Sequence, residues 1–106
     1  MRYNSVLDLH THTVASGHAY CSLREMAKAA SEKGLEVLGI TEHAPSMPGT
    51  CHKFYFNNLK VVPREMYGIQ LLLGSEVNIL DAQGTVDLEE KTLSNMDVVI
   101  ASLHTP

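Results

Sequence analysis

Several features that would assign a function quickly are missing from this sequence. There is no run of about 18 apolar residues, so it holds no candidate membrane-spanning helix. The N-terminal stretch reads directly into a strand-like segment without the apolar core of a secretory leader. Cysteine is scarce. Cys21 and Cys51 form no C-x-x-C pair, which excludes a disulfide framework and fits reduced thiols in a cytoplasmic protein. Basic residues are few and scattered, 8 against 12 acidic ones for a net charge of −4, which argues against a nucleic-acid surface. No G-x-x-x-x-G-K-[ST] or G-x-G-x-x-G phosphate loop occurs. Ser75 and Ser102 lack the G-x-S-x-G elbow of a serine nucleophile, and neither cysteine sits in a catalytic-thiol signature.

What is present is histidine, six in 106 residues, mostly at the ends of apolar runs. The length suits one small domain, taken as residues 1–106. Its pattern alternates strand and helix. A first strand is expected over residues 3–9, followed by a His, Thr, Ser and Gly-rich loop over 10–21. Ser22 and Glu25 form a capping box that opens a helix, whose stripe runs through Leu23, Met26, Ala27 and Ala30 to a stop at Lys33-Gly34. A second strand covers 36–41, and a long Pro and Gly-bearing loop covers 44–56. Asn57 or Asn58 caps a second helix that Pro63 limits. A third strand runs over 69–76 and on to 80. A turn at 81–84, a short hairpin arm at 85–87, a weak helix at 88–95 and a fourth strand at 97–103 complete the reading. Such alternation argues for βαβ units, a parallel sheet and an α/β fold.

The strand ends carry the chemistry. In a strand alternate side chains share a face, so His10 and His12 leave the first strand on one side with Thr11 turned away. The second strand ends near His43, the third at Glu76 and the fourth at His104, while His18 lies in the loop after the first strand. In parallel βα architectures ligand-binding and catalytic residues gather at the carboxyl ends of the strands. Imidazole and carboxylate groups collected there suit a metal site. Asp8 has two readings of equal weight: it orients a ligand imidazole through its other N–H, or it is a strand residue facing solvent. His52, in the long loop near Phe54 and Tyr55, reads as an exposed loop histidine.

These residues carry a family resemblance. Asp8-Leu9-His10-Thr11-His12-Thr13 resembles the first motif of the PHP family, named for polymerase and histidinol phosphatase. Ile40-Thr41-Glu42-His43 resembles the second, usually T-D-H. Leu73-Gly74-Ser75-Glu76-Val77-Asn78 resembles the third, and Ile100-Ala101-Ser102-Leu103-His104 the strand with the next ligand. The segment from His10 to Tyr20 is most similar to the YcdX-type phosphatase branch. The resemblance implies four N-terminal βα units of a distorted seven-stranded, TIM-like βα barrel with parallel strands. It implies a site of up to three divalent ions, zinc most often, with manganese or iron in relatives. His10, His12 and Glu76 then resemble the first metal's ligands. Glu76 would bridge to a second metal bound by His104, and His18 and His43 resemble ligands of a third. Catalysis is assigned to Glu76, His10, His12 and Asp8, with a metal-activated hydroxide hydrolysing a small phosphate monoester. Glu42 in place of Asp, and Ala44 where this branch often has Gly, depart from the pattern.

A complete βα barrel takes roughly 250 residues. The chain is therefore expected to be the N-terminal part of a longer barrel, with its open sheet edge covered by the missing half, a swapped neighbour or a partner chain. Two other readings stand beside the phosphatase: an amidohydrolase-type metallohydrolase, whose first strand also ends in H-x-H, and a non-catalytic metal-binding or interaction fragment.

Overall fold

A computed structural model describes residues 6–104. Five strands form one sheet: β1 (Leu7–Thr11), β2 (Val37–His43), β3 (Glu65–Met66), β4 (Ile69–Asn78) and β5 (Val98–Ser102). β1, β2, β4 and β5 are parallel neighbours in that order, and β3 pairs antiparallel with the start of β4. The sheet curls into a half-barrel, as in the N-terminal part of a TIM-like barrel. Residues 3–5 of the expected first strand lie outside the described residues. No helix among the described residues is long and apolar enough to cross a membrane.

The crossover from β1 to β2 is helix α1 (Leu23–Glu32). Ser22 Oγ accepts the Glu25 N–H, and the Glu25 carboxylate accepts the Ser22 N–H, so two free donors of the first turn are satisfied locally. Lys33 closes the helix, and Gly34 follows in the left-handed conformation with φ 85°. The apolar stripe puts Ala27 and Ala30 into a core with Leu38, Ile40, Leu71 and Leu73. β4 is buried almost throughout, because it is paired on both edges and covered by helix.

Two strands run further than the apolar pattern predicts. β1 continues to Thr11 and β2 to His43, while β4 ends at Asn78, two residues short of the expected strand. The pairing Thr41–Gly74, Glu42–Ser75 and His43–Glu76 persists after the hydrophobic run has ended, so polar side chains are carried into the sheet. Gly74 permits this closure: a Cβ there would stand 1.6 Å from the Val98 carbonyl oxygen.

The segment between β2 and β4 differs from its expected form. α2 is Lys53–Asn57, inside the stretch expected to be loop. His52 is its N-cap, its ring Nδ1 accepting the Phe54 N–H at 3.1 Å, and Asn58 closes the helix instead of opening it. Imidazole is an unusual cap beside Ser, Thr, Asp and Asn, so residue type gave no signal. β3 has no counterpart in the sequence reading. It forms a two-residue hairpin with β4 through Tyr67 (φ 54°) and Gly68 (φ 78°), a turn that needs positive φ at both positions and that tyrosine does not advertise. The hairpin arm at 85–87 shrinks to one antiparallel bridge, Ile79 to Val86. The third helix, α3, is only Glu90–Leu93.

Candidate metal centre

The carboxyl ends of the parallel strands bring the imidazoles together around one carboxylate. Glu76, on β4, is buried with its side chain 5% exposed. Its Oε1 lies 2.8 Å from His10 Nε2, 3.0 Å from His12 Nε2 and 3.5 Å from His43 Nδ1, and its Oε2 lies 3.2 Å from His104 Nε2. The His12 and His43 rings stack at 4.2 Å with planes 9° apart. His18 is exposed, its ring 4.7 Å from His43 and 5.5 Å from His12. Two sets of donor atoms converge closely enough to share an ion: His10, His12 and Glu76, and His43, Glu76 and His104. His43 therefore groups with Glu76 and His104, and His18 stands just outside both sets.

The donor set fits divalent ions. Imidazole nitrogen and carboxylate oxygen are the ligands that zinc and its neighbours take. His43 Nδ1 is buried, faces this cluster and has no hydrogen-bond partner. A buried polar atom left unpaired costs on the order of 1–3 kcal/mol, and a cation between His43 and Glu76 would satisfy it.

The electrostatics agree. Burial lowers the pKa of His12 and of His43, against the pull of Glu76, so both rings are held toward the neutral form that ligates. Burial pushes the Glu76 carboxyl up, but hydrogen bonds from His10 and Ser102 and the nearby His43 outweigh it and bring the pKa down to about 2. Cys51, by contrast, is pushed up to about 11 by burial, which makes it an inert thiol.

Beneath the imidazoles lies a polar layer around Glu42, the residue that stands where the second motif usually has Asp. Glu42 is fully buried. Its Oε1 accepts the Thr13 N–H and the Ser16 hydroxyl, each at 2.8 Å, and its Oε2 accepts the Thr13 hydroxyl and, at 3.4 Å, the Tyr55 hydroxyl. Ser16 Oγ also accepts the His43 N–H at 3.0 Å and lies 3.2 Å from His12 Nδ1. On the other flank, Asn78 contacts His104 Nδ1 through its Oδ1. Asn78 donates its own N–H and its Nδ2 to Asp87 at 2.8 and 2.7 Å. Asn78 had a signal, since it lies two residues after Glu76 on one strand and shares its face. Ser16, on a short 3-10 turn over Val14–Ser16, and Asp87, in the segment after β4, had none. Asp8 is exposed, and its Oδ1 accepts the His10 backbone N–H at 3.1 Å, so it holds the main chain at His10.

Comparison with known proteins identifies the family. The model of the PHP domain matches residues 8–106, and the chain belongs to that family. It is 58% identical over 106 residues to a probable phosphatase of Clostridium novyi, covering 100% of this chain and 43% of the relative. A probable phosphatase of Caldanaerobacter subterraneus is 51% identical over 104 residues, 98% of this chain and 41% of the relative. One from Photobacterium profundum is 48% identical over 101 residues, 95% of this chain and 41% of the relative. The chain thus spans about two fifths of the length of these curated relatives.

Proposed function

We propose that this chain, residues 1–106 of a single PHP domain, supplies the first part of a metal-dependent phosphatase acting on small phosphate monoesters. The observation that carries the reading is the convergence of His10, His12, His43 and His104 on the two oxygens of one buried carboxylate, Glu76. The relatives named as probable phosphatases support the reaction class.

His10, His12, Glu76, His43 and His104 would hold the ions, with His18 the next imidazole in reach. Zinc is the ion this donor set suits best, with manganese or iron as alternatives. Such ions supply Lewis acidity for phosphoryl oxygens and lower the pKa of a bound water toward neutrality. The chain's own part is positional. The strands fix the imidazoles on one face, burial keeps His12 and His43 unprotonated, and Asp8 anchors the backbone at His10. Neither Cys51, buried and protonated, nor Ser16, engaged by Glu42, is placed as a nucleophile.

Further strands beside β1 and β5 would complete the barrel and add ligands. Each of these strands has a single strand neighbour among the described residues, and Val6, Leu7, Val99 and Leu103 are exposed on or beside them. Two free cysteines fit a reducing, cytoplasmic setting.

The test is hydrolysis of p-nitrophenyl phosphate by the full-length protein. Activity is expected to disappear on chelation and return with zinc or manganese. In His10→Ala it should fall on the order of 10²-fold or more, as when a group at the reacting centre is misplaced. A fully metallated protein with no phosphatase turnover would refute the reading.

A further inference from the structure

We infer that two hydrogen-bond relays, Glu42–Ser16–His12 and Asp87–Asn78–His104, fix the tautomers of the two imidazoles so that each presents an unprotonated Nε2 to Glu76. The residues Ser16, Asn78, Asp87 and Glu42 are thereby positioning residues of the centre.

Proton counting carries the first relay. A serine hydroxyl has one proton to donate and lone pairs to accept with. Ser16 Oγ accepts the His43 backbone N–H at 3.0 Å, an unambiguous donor. Its single proton goes to Glu42 Oε1 at 2.8 Å, an oxygen that already receives the Thr13 N–H. The remaining contact, 3.2 Å to His12 Nδ1, then requires the ring to donate. His12 carries its proton on Nδ1, and Nε2, 3.0 Å from Glu76 Oε1, keeps its lone pair.

The second relay repeats the logic with an amide. Asp87 accepts the Asn78 backbone N–H on Oδ1 and the Asn78 side chain on Oδ2, and Ser46 N–H also donates to Oδ2 at 2.9 Å. A carboxylate only accepts, so the Asn78 atom facing it is the NH₂ group. The amide oxygen is therefore turned to His104 and accepts from Nδ1–H. His104 Nε2, 3.2 Å from Glu76 Oε2, keeps its lone pair.

Each relay serves one oxygen of Glu76. Two lone pairs facing a carboxylate at 3.0 and 3.2 Å repel it unless positive charge lies between them, so the relays hold the site in a form that favours a cation over an internal hydrogen bond. The inference leans on the metal-site reading only for its consequence in affinity, since the tautomers belong to the metal-free protein.

The experiment is imidazole ¹⁵N NMR of the metal-free full-length protein, above the pH at which its histidines titrate, paired with zinc titration. His12 and His104 are both expected to show a protonated Nδ1 and a bare Nε2. Asp87→Asn keeps the shape but offers an amide nitrogen in place of Oδ2. Asn78 should then turn over, donate to His104 Nδ1 and drive the ring proton onto Nε2. Zinc affinity is expected to fall about 10–100-fold, the usual cost of losing an outer partner of a metal ligand. Ser16→Ala should weaken zinc similarly through His12, and Ser16→Thr, which keeps the hydroxyl, should restore it. Either imidazole found protonated on Nε2 in the unaltered protein overturns the inference, whether or not any variant folds. So does a folded Asp87→Asn protein with an unchanged His104 tautomer and unchanged zinc affinity. Neither result touches the question of phosphatase turnover.

Discussion

His12 and His43 resist protonation, and this has a consequence for stability. Their folded pKa values lie below 6.5, chiefly through burial, while the unfolded chain protonates them near the ordinary value. Below about pH 6.5 the unfolded state therefore binds more protons, and stability must fall as pH falls. Glu76 adds a second loss at lower pH. Its folded pKa of about 2 lies below the ordinary glutamate value of 4.5, so its contribution is present above 4.5 and disappears as pH drops toward 2. Urea unfolding of the metal-free protein is expected to give lower stability at pH 5.5 than at pH 7.5, and lower again at pH 3.5. Equal stability at pH 7.5 and 5.5 would contradict the burial of these two rings. Added zinc should steepen the dependence, because metal binding demands neutral imidazole.

At the scale of the element, Gly74 decides whether the sheet can close on its far side. Any Cβ at that position meets the Val98 backbone at 1.6 Å, and neither strand can retreat without losing paired neighbours. Gly74→Ala is expected to destabilise by about 3 kcal/mol or more, the upper end of overpacking costs. Chemical denaturation would measure this. A loss under about 0.5 kcal/mol, the range of neutral surface changes, would mean that β5 does not approach β4 as described. Elements that follow local rules were legible in the sequence. The Ser22–Glu25 box and Lys33-Gly34 bracket α1 as read, and the four parallel strands stand where their apolar runs predict. The strand ends were less legible, because pairing continues into Glu42 and His43, beyond the apolar run that marks the strand. α2 and β3 were hidden by a histidine cap and a tyrosine at positive φ, each an exception to residue preference. The site divides in the same way. His10, His12, His43, Glu76 and His104 could be read from strand ends, whereas Ser16 and Asp87 enter from connecting segments whose course depends on tertiary contacts.

For the whole molecule the open sheet is the governing fact. β1 and β5 each offer an unpaired edge among the described residues, with exposed Val6, Leu7, Val99 and Leu103 alongside. Unpaired edges with apolar neighbours are templates for association. The 106-residue chain expressed by itself is expected to elute from a sizing column as dimers or larger species. The full-length protein should show no association through these edges. A well-folded monomer of the short chain, stable at high concentration, would show that the edges are self-sufficient.

The same architecture sets how the centre loosens. Glu76 sits on β4, which is hydrogen-bonded to β2 on one side and β5 on the other, while His18 rides an exposed loop. Local opening draws on the weakly held parts of a fold, and doubly paired central strands open last. Thermal fluctuation can therefore carry the outermost imidazole away and return it many times while the shared carboxylate stays fixed. The centre has a permanent floor and a replaceable rim, and it loses its floor only when the sheet itself comes apart.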